Sequence, residues 1–141
     1  MDPRRLTSRY SVSPQISVED IPAIVEAGFT LVIGNRPDSE VPPSHQATAI
    51  EAAARKAGLR FESLPLTHQT MTPENVARQR DLIDTADGLV LAYCASGTRS
   101  SVVWALGQAP TRSADDILAS TAAAGYQLDG LRPTLDQLSR S

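Results

Sequence analysis

Short apolar runs alternate with amphipathic stretches along the chain, and this alternation predicts strands and helices in turn. The runs at residues 31–33 and 88–93 are continuously apolar and are bounded by glycine or polar turn residues. Strands that are covered on both faces have this pattern. Residues 60–64 alternate between polar and apolar side chains and stop at Pro65, and a further strand is predicted near residues 10–12.

Helices are predicted where a capping residue precedes an amphipathic stretch and a glycine or proline follows it. Ser17, Thr72 and Ser113 are the capping residues with the clearest pattern. The predicted helices cover residues 18–27, 45–57, 73–85, 98–108, 114–124 and 133–140. The order of elements predicts one α/β domain over residues 1–141, with a mostly parallel central sheet of about four strands flanked by helices.

Composition and charge narrow the possible partners. With 13 Lys+Arg against 16 Asp+Glu, a formal charge of -3 and 4% aromatic residues, the chain is expected to bind neither nucleic acid nor a membrane. No apolar run approaches about 18 residues and the first fourteen residues lack a signal-peptide pattern, so a cytoplasmic location is expected. One cysteine, Cys94, excludes an intrachain disulfide. One cysteine and two histidines are too few to make a structural zinc site expected. No cofactor is expected either.

The chemistry of the chain is predicted to centre on Cys94. This residue follows the predicted buried strand directly, and Ala95, Ser96, Gly97 and Thr98 connect it to Arg99 at the start of a predicted helix. A loop between a strand and a helix N-terminus directs backbone N–H groups at one point and stabilises an anion there. Gly97 permits the positive φ that a tight loop needs.

Such a loop also favours the thiolate form of its cysteine, which would make Cys94 a nucleophile. Arg99 can bind two oxygens of a tetrahedral oxyanion through its guanidinium fork. Ser100 is expected to donate a hydrogen bond to the thiolate. The alternative is that Cys94 is an inert, small hydrophobic residue at the end of a buried strand. The spacing and the flanking elements favour the reactive cysteine.

Nearly the whole chain resembles a small bacterial family named for the phosphatase-like domain of beta-lactamase hydrolase-like protein, which is also described as a sulfur transferase family. The motifs that carry the resemblance are Val12-Ser13-Pro14-Gln15, Asn35-Arg36-Pro37-Asp38, Leu91-Ala92-Tyr93-Cys94 with Gly97-Thr98-Arg99-Ser100, and Ala124-Gly125-Tyr126. More distantly the chain is similar to the dual-specificity phosphatases. The resemblance implies their α/β fold, and either phosphatase or sulfurtransferase activity.

The loop departs from the phosphatase pattern in two ways. Four residues separate Cys94 from Arg99, whereas tyrosine phosphatases place five there, and the shorter spacing is similar to that of rhodanese-type sulfurtransferases. Tyr93 also stands where the phosphatase pattern usually has histidine.

The proton donor that a phosphatase needs for its leaving group is a separate question. Dual-specificity phosphatases carry an aspartate in the loop that corresponds to residues 66–71, and that segment has no carboxylate here. His68 could substitute for it. Asp38 could also donate a proton and Arg36 could bind an anionic substrate, since their loop is predicted at the same edge of the sheet. Alternatively, Asp38 closes a turn after Pro37, and Arg36 pairs with Glu40 or Asp38.

Three functions remain open from the sequence. The first is a cysteine-dependent phosphatase-type hydrolase acting on a phosphorylated substrate. The second is a rhodanese-like sulfurtransferase that carries a persulfide on Cys94; an external thiol would then discharge it, because no second cysteine is present. The third is a non-catalytic oxyanion-binding regulatory module. The pattern over the whole chain favours the phosphatase.

Overall fold

A five-stranded sheet forms the centre of the computed structural model, which describes residues 2–140. The predicted domain also takes in residues 1 and 141, which lie outside the described residues. The strands are β1 (Arg4–Arg5), β2 (Tyr10–Ser13), β3 (Phe29–Gly34), β4 (Arg60–Ser63) and β5 (Leu89–Tyr93). Their order across the sheet is β1-β2-β5-β3-β4, and all neighbouring pairs are parallel except β1 with β2.

Within residues 2–140, six α-helices flank the sheet: α1 (Ile21–Glu26), α2 (Ala47–Lys56), α3 (Pro73–Asp84), α4 (Thr98–Gln108), α5 (Ala114–Ala123) and α6 (Arg132–Ser139). Each predicted helix is present. Helix α1 begins later than predicted because the turn before it is a 3-10 segment at Val18–Asp20. Helix α2 begins at Ala47 because Gln46, the residue before it, has an extended backbone. Thr72 and Ser113 cap α3 and α5 by accepting hydrogen bonds from backbone N–H groups, as their positions in the sequence predict.

The predicted sheet of about four strands is present, with β1 as an additional fifth strand at one edge. The two exposed arginines of β1 gave no apolar signal in the sequence. The strand forms because the chain turns back tightly: the N–H groups of Leu6 and Thr7 both donate to the Tyr10 carbonyl, at 2.9 and 3.1 Å. This hairpin makes the sheet mixed instead of wholly parallel.

Alternate residues of the central strands pack into two separate cores. Leu31 and Ile33 of β3 belong to the core beneath α3 and α4, whereas Val32 belongs to the core beneath α1 and α2. On β5, Val90 and Leu91 divide in the same way. Both faces of the sheet are therefore covered, which confirms the interpretation of the continuous apolar runs.

The parallel arrangement brings three loops together at the carboxyl edge of the sheet. The Asn35 N–H donates to the Tyr93 carbonyl at 2.9 Å, and the Leu66 N–H donates to the Asn35 carbonyl at 2.8 Å. The segments that follow β3, β4 and β5 therefore lie side by side. Within residues 2–140, none of the helices has the length and apolar character needed to cross a bilayer.

Candidate active site

Cys94 lies directly after β5, at the start of the loop that leads into α4. It is a free cysteine with 1% of its surface exposed, and its backbone N–H donates to the Ser13 carbonyl of the neighbouring strand at 3.3 Å. Gly97 has φ +95°, the left-handed conformation predicted for a tight loop, and its N–H donates to Cys94 Sγ at 3.1 Å. The loop therefore folds back on the sulfur.

Two carbonyls of the loop accept hydrogen bonds from residues outside it. The Ala95 carbonyl accepts from the Gln15 N–H at 3.3 Å, and the Ser96 carbonyl accepts from the Tyr126 hydroxyl at 2.9 Å. Within residues 2–140, the N–H groups of Ala95 and Ser96 have no acceptor, whereas backbone N–H groups in folded proteins are nearly always paired. These two N–H groups are available to an anion.

The side chains of the loop face the solvent. Ala95, Ser96 and Thr98 are exposed, while Gly97 is buried. The Thr98 N–H donates to Ser96 Oγ at 3.3 Å, so this N–H is occupied. Only part of the predicted cluster of N–H groups is thus free, and the oxyanion-binding capacity of the loop depends on its backbone.

Arg99 is held by two elements outside its own helix. Its Nη1 and Nη2 donate to the two carboxylate oxygens of Glu40 at 2.9 and 2.7 Å, and Nη1 also donates to the Leu66 carbonyl at 3.0 Å. The hydrogen bond with Glu40 raises the pKa of Arg99 above its ordinary value, with a smaller electrostatic contribution from Cys94. The described residues provide no oxygen acceptor for Arg99 Nε, and a hydrogen bond with Cys94 also contributes to the raised pKa of Arg99.

Glu40 links two arginines at the edge of the site. Arg36 Nε donates to the same carboxylate at 3.2 Å, and Arg36 Nη1 reaches Gln15 Oε1 at 3.4 Å. Hydrogen bonds from Arg99 first, and then from Arg36, hold the pKa of Glu40 below its ordinary value. The pairing of Arg36 with Glu40, foreseen as one alternative, is present. The contact between Glu40 and Arg99 was not predicted, and the sequence carries no local signal for it.

Ser100 does not make the hydrogen bond to Cys94 that the sequence predicted. Its hydroxyl donates to Asn35 Oδ1 at 2.9 Å, in a fully buried position. The Asn35 amide also donates to the Leu64 carbonyl and to Gln79 Oε1, and the Tyr10 hydroxyl donates to the Ser100 carbonyl at 2.8 Å. Ser100 therefore fixes the first turn of α4 to the sheet, because its proton is directed at Asn35.

Asp38 and His68, the two candidate proton donors, have different surroundings. Asp38 Oδ1 accepts from the Ala47 N–H at 2.8 Å, so this carboxylate caps the N-terminus of α2. His68 is exposed and lines a cavity of about 380 Å³ together with Glu40, Thr67, Gln69, Thr98 and Arg99. His68 thus shares a cavity with Arg99, whereas Asp38 is engaged in a structural contact.

The metal-ligating side chains among residues 2–140 are dispersed over the fold. In the described part of the chain, no three side chains of the metal-ligating types histidine, cysteine, aspartate and glutamate lie close enough to share an ion.

The architecture of the sheet and helices defines the class of fold first. The chain has the fold of the dual-specificity phosphatases: it superposes on PTPMT1 with a TM-score of 0.75 over 98% of this chain and 94% of that chain, at 14% identity. Within that class, the chain belongs to the family of the phosphatase-like domain of beta-lactamase hydrolase-like protein, whose model matches residues 2–111. This membership confirms the resemblance carried by the motifs up to Ser100, whereas Ala124-Gly125-Tyr126 lies beyond the matched residues.

Two relatives show how far the similarity extends. The chain is 32% identical to a candidate phosphatase of Neisseria meningitidis, whose crystal structure it matches with a TM-score of 0.86 over 98% of this chain and 99% of that chain. It is 30% identical over 105 residues to beta-lactamase hydrolase-like protein of Agrobacterium fabrum, a stretch that is 74% of this chain and 24% of that protein. The chain thus spans about a quarter of the length of that relative.

Proposed function

We propose that the chain is a cysteine-dependent phosphatase-type hydrolase with Cys94 as its nucleophile. The observation that carries this proposal is the position of Cys94 Sγ, 3.1 Å from the Gly97 nitrogen in the loop between β5 and α4, with Arg99 on the next turn. An N–H hydrogen bond to sulfur stabilises the thiolate, which is the reactive form of cysteine. The fold, shared with known phosphatases, supports the same reaction class.

The reaction proceeds in two displacements. In the first, the Cys94 thiolate forms a bond to phosphorus while the ester P–O bond breaks and the leaving oxygen takes a proton. In the second, water attacks phosphorus, the S–P bond breaks, and the thiolate and inorganic phosphate are released. The free N–H groups of Ala95 and Ser96 and the Nε edge of Arg99 stabilise the equatorial oxygens in both steps.

In this proposal, His68 donates the proton that the leaving group takes up. An imidazole can donate a proton near neutral pH, and His68 lines the cavity that also contains Arg99. Asp38 is the weaker candidate, because its carboxylate is used by the Ala47 N–H. A phosphate monoester is the proposed class of substrate, and the structure of PTPMT1 in complex with PI(5)P supports this class for the fold.

A sulfurtransferase is the second candidate, and the size of the loop favours it. Only four residues separate Cys94 from Arg99, and the segment at residues 66–71 carries no carboxylate. A persulfide needs less space than a phosphoryl group and needs no general acid of this kind. In that reaction, Cys94 attacks the outer sulfur of thiosulfate, sulfite leaves, and a thiol or cyanide then removes the sulfur.

Parallel assays with p-nitrophenyl phosphate and with thiosulfate plus cyanide separate the two candidates. For the phosphatase we expect phosphate release that falls at least about 1,000-fold in Cys94→Ser, with no thiocyanate formed. Mass spectrometry of the acid-quenched protein should find one added phosphoryl group on Cys94. Thiocyanate production and one added sulfur atom would instead establish the sulfurtransferase. Inactivity in both assays, with vanadate still bound, would support a non-catalytic oxyanion-binding module.

Because Cys94 is the only cysteine, alkylation provides a matched control. Iodoacetamide should abolish the activity of the wild-type protein and add a single label. The same treatment should leave Cys94→Ser unlabelled. Activity that survives complete labelling of the wild-type protein would contradict the proposed role of the sulfur in either reaction.

A further inference from the structure

One peptide group in the loop is hydrogen-bonded at both of its ends. The carbonyl of the Ser96–Gly97 peptide accepts from the Tyr126 hydroxyl at 2.9 Å, and its N–H donates to Cys94 Sγ at 3.1 Å. The C=O and N–H of a planar trans peptide point in opposite directions. A donor that fixes the carbonyl on one side therefore fixes the N–H that reaches the sulfur on the other side.

The backbone conformation of Gly97 allows the Ser96–Gly97 peptide group to reverse its orientation. Gly97 has φ +95°, and glycine adopts positive and negative φ about equally readily. Reversal of the peptide would turn the N–H away from Cys94 and direct the Ser96 carbonyl oxygen at the sulfur. An oxygen with its lone pairs facing a thiolate is repulsive, whereas the N–H is attractive. The orientation of this group thus decides whether the loop stabilises the anion.

Tyr126 is held in place independently of the loop. Its backbone N–H donates to the Thr121 carbonyl at 2.8 Å, and Arg4 Nη1 donates to the Ala124 carbonyl at 3.1 Å, so the turn after α5 is fixed from two directions. The Tyr126 hydroxyl lies so close to Gly97 that a side chain at this position would overlap with it. Burial raises the pKa of Tyr126 above its ordinary value of 10.0, so the hydroxyl remains a donor at neutral pH.

We propose that Tyr126 is a positioning residue that sets the orientation of the Ser96–Gly97 peptide and, through it, the hydrogen bond to Cys94. The inference rests on the proposed function in one respect, namely that the sulfur is the nucleophile. The orientation of the peptide can be measured without turnover, so the two proposals can fail separately. The α5 turn thereby acts on the reactive sulfur through a single peptide group.

The test compares Tyr126→Phe with the wild-type protein by NMR. Phenylalanine keeps the ring over Gly97 and removes only the hydroxyl. We expect the Gly97 amide proton resonance, shifted downfield by its hydrogen bond to sulfur, to move upfield in Tyr126→Phe and in Cys94→Ala. The double variant should show no further movement, because both changes remove the same hydrogen bond. Unchanged amide resonances of a core residue such as Val32 report that the fold is intact.

Reactivity of the sulfur gives a second readout. At pH 7, the rate of alkylation of Cys94 by iodoacetamide should fall about tenfold in Tyr126→Phe, as expected for the loss of a hydrogen bond to an anion. Tyr93→Phe is the matched control, since the Tyr93 hydroxyl donates no hydrogen bond to another described residue, and its alkylation rate should equal that of the wild type. Arg4→Met, which loosens the same turn from outside, should change the rate in the same direction and by less.

A Gly97 amide resonance and an alkylation rate in Tyr126→Phe that match those of the wild type would overturn the inference. Equal falls in Tyr126→Phe and Tyr93→Phe would also overturn it, because the effect would then be general to the region. If both readouts change as expected while neither p-nitrophenyl phosphate nor thiosulfate is turned over, the inference stands and the proposed function fails.

Discussion

Two loops at the carboxyl edge of the sheet form the candidate site, and they differ in the kind of hydrogen bonds that hold them. The loop after β5, residues 94–97, is short, and its own backbone groups hydrogen-bond to the Gln15 N–H, the Tyr126 hydroxyl and the Cys94 sulfur. The loop after β3, residues 35–46, is long and half of its residues are exposed, and hydrogen bonds of the Asp38 and Gln46 side chains hold it in place. The short loop provides the reactive atom, and the long loop provides the carboxylate that holds Arg99. The comparison indicates that backbone fixes the sulfur while side chains orient the arginine.

The largest expected effect comes from Gly97→Ala, which acts on the short loop. A methyl group there meets both a left-handed φ and the Tyr126 hydroxyl. We expect activity to fall by about 100-fold or more and the free energy of unfolding to fall by roughly 2 kcal/mol. Gly58→Ala is the control, because Gly58 has φ +79° with open space around it, and it should cost about 1 kcal/mol with full activity. Equal stability losses in both variants would mean that the Tyr126 contact is unimportant.

Arg99→Lys should have the next largest effect. Lysine keeps the charge and cannot bind Glu40, the Leu66 carbonyl and an oxyanion at once. We expect kcat/KM to fall about 100-fold, with most of the loss in kcat, in a steady-state assay. Arg55→Lys, on the exposed face of α2, is the matched control and should be fully active. A loss confined to KM would show instead that Arg99 binds the ground state and transition state equally.

The difference between the loops explains what the sequence could predict. Cys94, Gly97 and Arg99 lie within six consecutive residues between a buried strand and a helix, so their proximity follows from local structure. Glu40 lies 59 residues from Arg99 and Tyr126 lies 30 residues from Ser96. The motif Ala124-Gly125-Tyr126 includes Tyr126 but does not indicate what its side chain contacts, because such contacts depend on how the elements pack.

The hydrogen-bond partner of Ser100 was also not predictable from its position in the sequence. Its position one residue after Arg99 suggests a contact with the sulfur, but the buried amide of Asn35 offers its hydroxyl a better acceptor. Gln79, fully buried on α3, completes that cluster and was not singled out, because a glutamine in a helix is usually a surface residue. The fold was therefore predicted more completely than the side-chain partners within the site.

Glu40→Gln tests whether the long loop orients Arg99. The amide keeps the shape of the side chain and loses the charge that both arginines share. We expect kcat/KM to fall about tenfold while the melting temperature changes little, since exposed ion pairs stabilise weakly. Glu51→Gln, which breaks an ion pair with Arg55 on the surface of α2, should leave activity unchanged. Activity that rises in Glu40→Gln would reveal a carboxylate that competes with the substrate for Arg99.

The smallest expected effect on activity belongs to Asp38. Asp38→Ala should lower the free energy of unfolding by about 1 kcal/mol, the cost of losing a helix cap, and change kcat less than twofold. Asp38→Asn, which retains an oxygen acceptor for the Ala47 N–H, should restore most of the stability. A large loss of kcat in both variants without a loss of stability would identify Asp38 as the proton donor in place of His68.

The two edges of the sheet have a consequence for the behaviour of the protein at high concentration. One edge is β1, a strand of two arginines, and the other is β4, four residues with an Arg60–Glu62 ion pair. Sheets aggregate by adding strands along long, flat, apolar edges. A second molecule that approaches either edge here meets a short strand and charged side chains. Growth of the sheet between molecules is therefore disfavoured, which should let the protein be concentrated for the NMR measurements described above.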